Sequence, residues 1–215
     1  MLPYGHGYLG FVQLFYPDAS MTYGPLEMQL AFSRDLLHWR RVGDRQPILP
    51  RGAAGSWDQS HVTLCPCPPH PEGERLRFWY GGKDTEHWQL GMAALGTATL
   101  RRDGFACYEA GEAGGVVTTA PFELSWALQS FFVSAEAPRG EVRMEIVDAH
   151  TLQPLEGATR EDCRPITGDG ARLPVVFGPR RGSFVRHTGR VRFRFHLRAA
   201  RLYAFKAPNC ALPRS

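Results

Sequence analysis

The sequence predicts an all-β chain, a partial β-propeller (last blades) followed by a β-sandwich, and three observations predict it. Apolar residues alternate with polar ones at period 2: Leu26, Met28, Leu30 and Phe32 early in the chain, and Val191, Phe193, Phe195 and Leu197 late in it. Glycine (23) and proline (17) punctuate the sequence too often for long helices. A unit of aromatic strand, loop, apolar strand, Arg-Asp turn and aromatic residue occurs twice, with Phe11 and Phe78, and Asp35 and Asp103, recurring at nearly the same interval. Repeated hairpin units suggest propeller blades, which often run about 40–50 residues. The longer interval here requires an insertion, and the Gly52–Ser60 and Pro66–Gly73 segments can supply it.

The dense run Tyr8–Tyr16 (YLGFVQLFY) reads as a buried strand, and Pro17–Pro25 as a loop. Leu26–Phe32 is the next strand. It ends in Ser33-Arg34-Asp35-Leu36-Leu37-His38-Trp39, where Ser33 and Asp35 can accept bonds from nearby backbone N–H groups and fix a turn. Trp39 is expected to fold back onto the sheet. Val42–Gly55 reads as a loop because of Pro47, Pro50, Gly52 and Gly55. Ser56–His61 leads into a short strand, Val62–Cys65, and Pro66–Gly73 is a proline-rich loop. Arg75–Tyr80 is a strand ending at Gly81-Gly82, Lys83–Trp88 a polar loop, and Leu90–Leu100 a small, apolar stretch. Arg102-Asp103-Gly104-Phe105 then repeats the turn.

The composition shifts between about Phe105 and Val116, which divides the chain into a propeller-like region, 1–105, and a β-sandwich, 106–215. Strand candidates in the second part are Phe131–Ala135, Glu141–Val147, Leu173–Phe177, Arg190–Arg198 and Leu202–Phe205. Val142, Met144 and Ile146 oppose Glu141, Arg143 and Glu145, so a one-residue slip would expose every apolar side chain. Several antiparallel strands with one polar face each suggest the sandwich. Glu156–Asp169 is the longest irregular piece.

A hydrophobic content of 43% supports a core, and a formal net charge of +4 is too mild to imply nucleic acid. The Arg190–Arg201 face is expected to pair across strands with acidic neighbours such as Glu141 and Glu145. Five cysteines, Cys65, Cys67, Cys107, Cys163 and Cys210, form no complete disulfide set. Cys65-Pro-Cys67 is tighter than the usual zinc spacing and has no matching second pair, so no metal is expected. No stretch approaches the roughly 20 apolar residues of a membrane span. The opening Met1-Leu2-Pro3-Tyr4-Gly5 lacks the basic and apolar regions of a signal peptide.

Ser33-Arg34-Asp35-Leu36-Leu37-His38-Trp39 resembles the S-x-D-x-x-x-W turn of five-bladed propeller glycosidases of the invertase/levanase and arabinanase type (families 32, 43 and 68). Gly55-Ser56-Trp57-Asp58 and Phe78-Trp79-Tyr80-Gly81-Gly82 are similar to blade motifs of those proteins. Thr99–Phe105, Gly115–Thr119, Asp162–Asp169 and Arg192–Phe205 look like the C-terminal region of uncharacterised bacterial family-32-like proteins, and this last segment is the most specific. The resemblance implies a glycoside-hydrolase-like protein that acts on or binds carbohydrate. The family draws its carboxylates from Asn-Asp-Pro and Arg-Asp-Pro sequences in early blades and from an acid glutamate. This chain contains neither tripeptide: Arg34-Asp35 and Arg102-Asp103 continue with Leu and Gly. A closed five-bladed propeller also exceeds the residues before the sandwich. The expectation is therefore the last blades plus the sandwich of a longer protein, inactive as a hydrolase by itself. A non-catalytic carbohydrate-binding or structural module is the alternative.

Glycoside hydrolysis uses two carboxyl groups across the scissile bond. The local candidates are Asp58, in Ser-Trp-Asp-Gln-Ser-His, and Asp84 with Glu86, in Gly-Gly-Lys-Asp-Thr-Glu-His-Trp. Trp57 and Trp88 beside them could stack on a sugar ring, and His61 and His87 could bond a sugar or hold a cation. In the competing reading Trp57 plugs a blade, Asp58 caps a turn and Lys83–Trp88 is only a solvated loop. No catalytic residue and no cofactor is assigned.

Overall fold

A computed structural model describes residues 1–124, 130–178, 189–207 and 210–211. The protein is all-β: among the described residues the one helical segment is the 3-10 turn Gly43–Arg45. Among the described residues no helix is long and apolar enough to cross a membrane. Two compact units divide at Ala106 and Cys107, Met1–Ala106 and Cys107–Ser215.

The first unit holds β1 (Leu2–Tyr4), β2 (Gly7–Phe15), β3 (Leu26–Ser33), β4 (Trp39–Arg41), β5 (Pro47–Leu49), β6 (His61–Leu64), β7 (His70–Glu72), β8 (Arg75–Lys83) and β9 (Ala93–Arg101). They form one sheet in two antiparallel groups. β1, β2 and β3 pair in order, and the short β4 and β5 continue from β3. β8 pairs with β6, β7 and β9. A single parallel pair, Leu26 with His61, joins the groups.

Two strands lie where loops were expected. Pro47–Leu49 pairs with Met28 and Gln29, and His70–Glu72 pairs back on Arg75–Arg77. Both contain proline, and both are three-residue pieces on one side of a longer strand, where a missing N–H does no harm. The run Tyr8–Tyr16 is less buried than its composition suggests: Leu9 is buried, whereas Phe15 and Tyr16 are exposed.

The two Arg-Asp turns are built differently. The Asp35 carboxylate accepts the N–H groups of Leu37 (2.9 Å) and His38 (2.8 Å), the Ser33 hydroxyl (3.1 Å) and His38 Nδ1 (2.7 Å). These bonds hold its carboxyl far below the usual carboxylate range, the His38 N–H most strongly. Trp39 donates Nε1–H to the Leu36 carbonyl at 3.0 Å, and its ring lies over Gly10. Asp103 instead accepts the Tyr4 hydroxyl, tying β1 to the turn after β9. Phe105 follows that turn into the core, edge-on to Tyr4 and Phe78 and tilted against Phe11. Leu9, Leu30, Phe78 and Phe105 are the buried centre of this unit.

The second unit holds β10 (Tyr108–Ala110), β11 (Gly115–Thr118), β12 (Phe122–Leu124), β13 (Phe131–Asp148), β14 (Ile166–Val175), β15 (Gly189–Arg198), β16 (Ala200–Lys206) and β17 (Cys210–Ala211). Residues expected to form two strands, before and after Pro138, are one 18-residue strand, β13. Its first half pairs with β14 and β16, and its second half with β15. Gly140 sits at the change of partner, where any Cβ would meet the Arg198 and Ala199 carbonyls. One continuous sheet therefore turns on itself: Phe193 and Phe195 of β15 pack against Phe205 of β16 without a ladder between those strands, and Phe193 also meets Phe131. The alternation in β15 holds, with Val191, Phe193, Phe195 and Leu197 all buried. In β13 it breaks at Glu145 and Val147, both also buried.

Glu145 faces Arg194 and accepts its Nη1 at 2.8 Å and His196 Nε2 at 3.0 Å. Burial opposes the charge, but the His196 and Arg194 bonds hold its carboxyl below the ordinary glutamate value. Glu141, expected to pair across strands, instead meets Arg143 of its own strand at 3.4 Å. Arg190 and Arg201 pair with Glu123 and Glu109. Cys163 is buried, with its Sγ 3.2 Å from the Met144 N–H, and Cys65, Cys67 and Cys107 are free thiols. The Cys210 side chain lies outside the described residues.

Candidate functional site

The predicted residues sort into two neighbouring groups of the first unit. Trp57 and Asp58 pack onto β8. The Trp57 ring stacks on Tyr80, with centroids 5.5 Å apart. A Cβ on Gly82 would meet the Trp57 ring at 2.5 Å, and one on Gly96 would meet it at 2.9 Å, so both glycines make the floor on which the indole rests. Asp58 accepts the Tyr80 hydroxyl at 2.8 Å and the Ser56 hydroxyl at 2.9 Å. Tyr80 is pushed up to about 12, first by burial and then by Asp58. These contacts commit the Asp58 carboxylate to holding its loop on the strand.

The second group surrounds the start of β6 and the β8–β9 loop. Asp84 is a loop anchor: its carbonyl accepts Gln59 Nε2 (2.8 Å) and Ser60 Oγ (3.1 Å), and its carboxylate accepts the Met92 N–H (2.9 Å). Glu86 lies 3.4 Å from Gln89 Nε2. Lys83 stands opposite His61 in the sheet and donates Nζ–H to the Gln89 carbonyl. His87 is fixed by its N–H bond to the Gly24 carbonyl at 3.0 Å. Its ring is 5.0 Å from Trp88, 5.2 Å from Phe15 and 6.4 Å from His61.

Trp88 is the one tryptophan of the pair left open. Its side chain is 74% exposed and its backbone takes a left-handed φ of 67°. A bulky residue in that region is uncommon and is held by its surroundings. Here the Asp84–Met92 and Glu86–Gln89 backbone bonds close the loop on either side. His61 accepts or donates at Nε2 to Thr63 Oγ1 (3.0 Å), and Thr63 Oγ1 accepts Gln13 Nε2 (2.7 Å). Burial, then His87 and Lys83, lower the His61 imidazole below its ordinary value. Nδ1 of both His61 and His87 is buried with no hydrogen-bond partner.

No protein-family model, curated protein or solved structure matches the chain. The local chemistry therefore has to carry the reading alone. The structure brings His61, His87 and Trp88 together and sets Trp57 and Asp58 apart on Tyr80. It adds Phe15, Thr63, Gln13 and Lys83, which the sequence did not single out. Gln13 and Phe15 share one face of β2 at period 2, the one signal that could have found them, but nothing in sequence says which face meets β6. Among the described residues no group of three or more His, Cys, Asp and Glu side chains is placed to hold a metal ion.

Proposed function

We propose that this chain binds carbohydrate through the β8–β9 loop, with Trp88 as the platform for a sugar ring and His61 and His87 beside it. The carrying observation is the open Trp88 indole, held at a left-handed backbone position next to two histidines with unpartnered nitrogens. Sugar rings present C–H faces that pack on aromatics, and tryptophan offers the largest such surface. Asp58 and Asp84 are engaged as acceptors, Asp58 from Tyr80 of β8 and from Ser56 and Asp84 from the Met92 N–H, so the expected activity of this chain is binding without hydrolysis.

The fold fits the same reading. The two antiparallel groups of the first unit, linked by one parallel pair, are what two successive propeller blades would present. The self-facing sheet of the second unit suits the β-sandwich that follows the propeller in family-32-like proteins.

Affinity electrophoresis and calorimetry of the full chain against fructans, arabinans and their oligosaccharides test the proposal. Retardation by at least one glycan is expected, and Trp88→Ala should weaken it about tenfold. No retardation by any glycan, or unchanged binding by Trp88→Ala, would overturn it. No reducing sugar should be released in either case.

A further inference from the structure

We propose that Cys65 and Cys67 form a two-electron redox site, a dithiol that closes to a disulfide across Pro66 and exchanges with small-molecule disulfides and thiols. The backbone brings the pair together. The Cys67 N–H donates to the Cys65 carbonyl at 2.8 Å, a bond to the next residue but one that makes a γ-turn with Pro66 at its centre. Proline holds φ at about −65°, close to the roughly −75° of the inverse form of that turn. A turn this tight leaves its end Cα atoms about 5.5 Å apart, inside the roughly 4.4–6.8 Å that a disulfide spans. As in a strand, residues two apart in such a turn project to the same side. One end is anchored: Cys65 continues the β6 ladder, its N–H donating to the Trp79 carbonyl of β8 at 2.9 Å. The other end is open, because Cys67 is exposed and Cys65 half-buried, both as free thiols.

The two sulfurs have different roles. The exposed Cys67 thiolate attacks one sulfur of a small disulfide such as oxidised glutathione. A mixed disulfide forms on Cys67, and one glutathione thiolate leaves. The Cys65 thiolate then attacks Sγ of Cys67, the protein disulfide forms and the second glutathione thiolate leaves. Two protein thiols are oxidised and one small disulfide is reduced to two thiols. The two protons lost by the cysteines pass through solvent to the departing thiolates. Reduced glutathione drives the same steps backwards. A bridge over one residue closes almost no loop, so it adds little to the stability of the fold. An exposed disulfide is also open to attack, the character of an exchanging couple and not of a structural staple. The site uses none of Trp88, His61 and His87, so it stands apart from the carbohydrate reading.

The test incubates the full chain, reduced beforehand, with mixtures of oxidised and reduced glutathione, quenches with acid and reads peptide masses. Trypsin cuts after Arg51 and Arg75, and the peptide between them, residues 52–75, contains Cys65 and Cys67 and no other cysteine. That peptide should lose the mass of two hydrogens when oxidised glutathione is in excess and regain it when reduced glutathione is restored. Cys65→Ser removes the attacking sulfur of the second step and should hold about tenfold more mixed disulfide on Cys67 than the wild-type chain does. The folded chain should close at about tenfold less oxidised glutathione than the chain unfolded in urea, because the turn positions the pair beforehand. Glutathione adducts on the wild-type peptide without the loss of two hydrogens, cross-links from it to another cysteine peptide, or equal closure in the folded and unfolded chain would each overturn the proposal.

Discussion

Replacing Gly82 by alanine tests whether Trp57 is pinned to β8. The new Cβ would lie 2.5 Å from Trp57 Cζ3 and 2.6 Å from Asp58 Cβ. Ordinary carbon contacts are about 3.5–4.0 Å, so something must move by about 1 Å. The indole has little room to retreat, because Tyr80 stacks on it and Gly96 lies within Cβ contact. Overpacking of this kind costs about 1–3 kcal/mol, and the loss of a strand glycine returns about 0.5–1 kcal/mol. The net expectation is a loss of about 1–2 kcal/mol. In a unit of about 100 residues that lowers Tm by about 5–15 °C. Gly81, its neighbour, has open space where a Cβ would go, so Gly81→Ala should be neutral or slightly stabilising. Urea and thermal unfolding followed by tryptophan emission suit the comparison, since Trp39, Trp57, Trp79 and Trp88 all lie in the first unit. Equal effects of the two substitutions would refute the packing argument.

Tyr80→Phe removes the hydroxyl that Asp58 accepts and should cost about 1 kcal/mol, read from the same urea curves. In a spectrophotometric alkaline titration the Tyr80 phenol, pushed up to about 12, should remain protonated while ordinary tyrosines ionise near pH 10. Glu145→Gln leaves Arg194 and His196 without their buried anion and should cost about 3 kcal/mol in calorimetric unfolding of the second unit. Because the folded Glu145 carboxyl titrates below its unfolded value of about 4.3, its contribution is full above that pH and is lost as pH falls through the folded value. The same sign holds for Asp35. An NMR titration should find the Asp35 carboxyl still ionised where unfolded aspartates are half protonated, at about pH 3.9, and Asp35→Ala should lower Tm.

Period-2 alternation gave the all-β class, and it was most informative where one face is buried deeply, as in β15. It said less about β2, whose aromatic run borders a thin core and leaves Phe15 exposed. The Ser33–Trp39 turn was legible because its bonds are local: Ser33, Asp35 and Trp39 all find partners within a few residues. Its counterpart was legible only as a turn. The Tyr4–Asp103 bond joins residues from opposite ends of the unit, and no local pattern encodes it. The candidate site divides in the same way. Asp84 and Glu86 lie on one loop, as their proximity in sequence implies. His61, His87 and Phe15 meet only because β2, β6 and the β8–β9 loop converge, which depends on strand order. Trp57 and Trp88 look alike in sequence, each following or preceding a polar cluster, and only the glycine floor beneath Trp57 separates a packed indole from an open one.

The three-partner strand of the second unit has a consequence for how the protein is made. Residues 131–148 can pair with β14 once residue 175 is made, but their β15 and β16 ladders lie in residues 191–206, so the sheet cannot turn on itself until those last strands have left the ribosome. During that interval Met144 and Ile146 wait without their partners Phe195 and Phe193 on β15. Such long-range pairing folds slowly and is exposed to aggregation meanwhile. Slowing translation just before residue 189 should therefore lower the yield of soluble protein more than the same pause placed after residue 207.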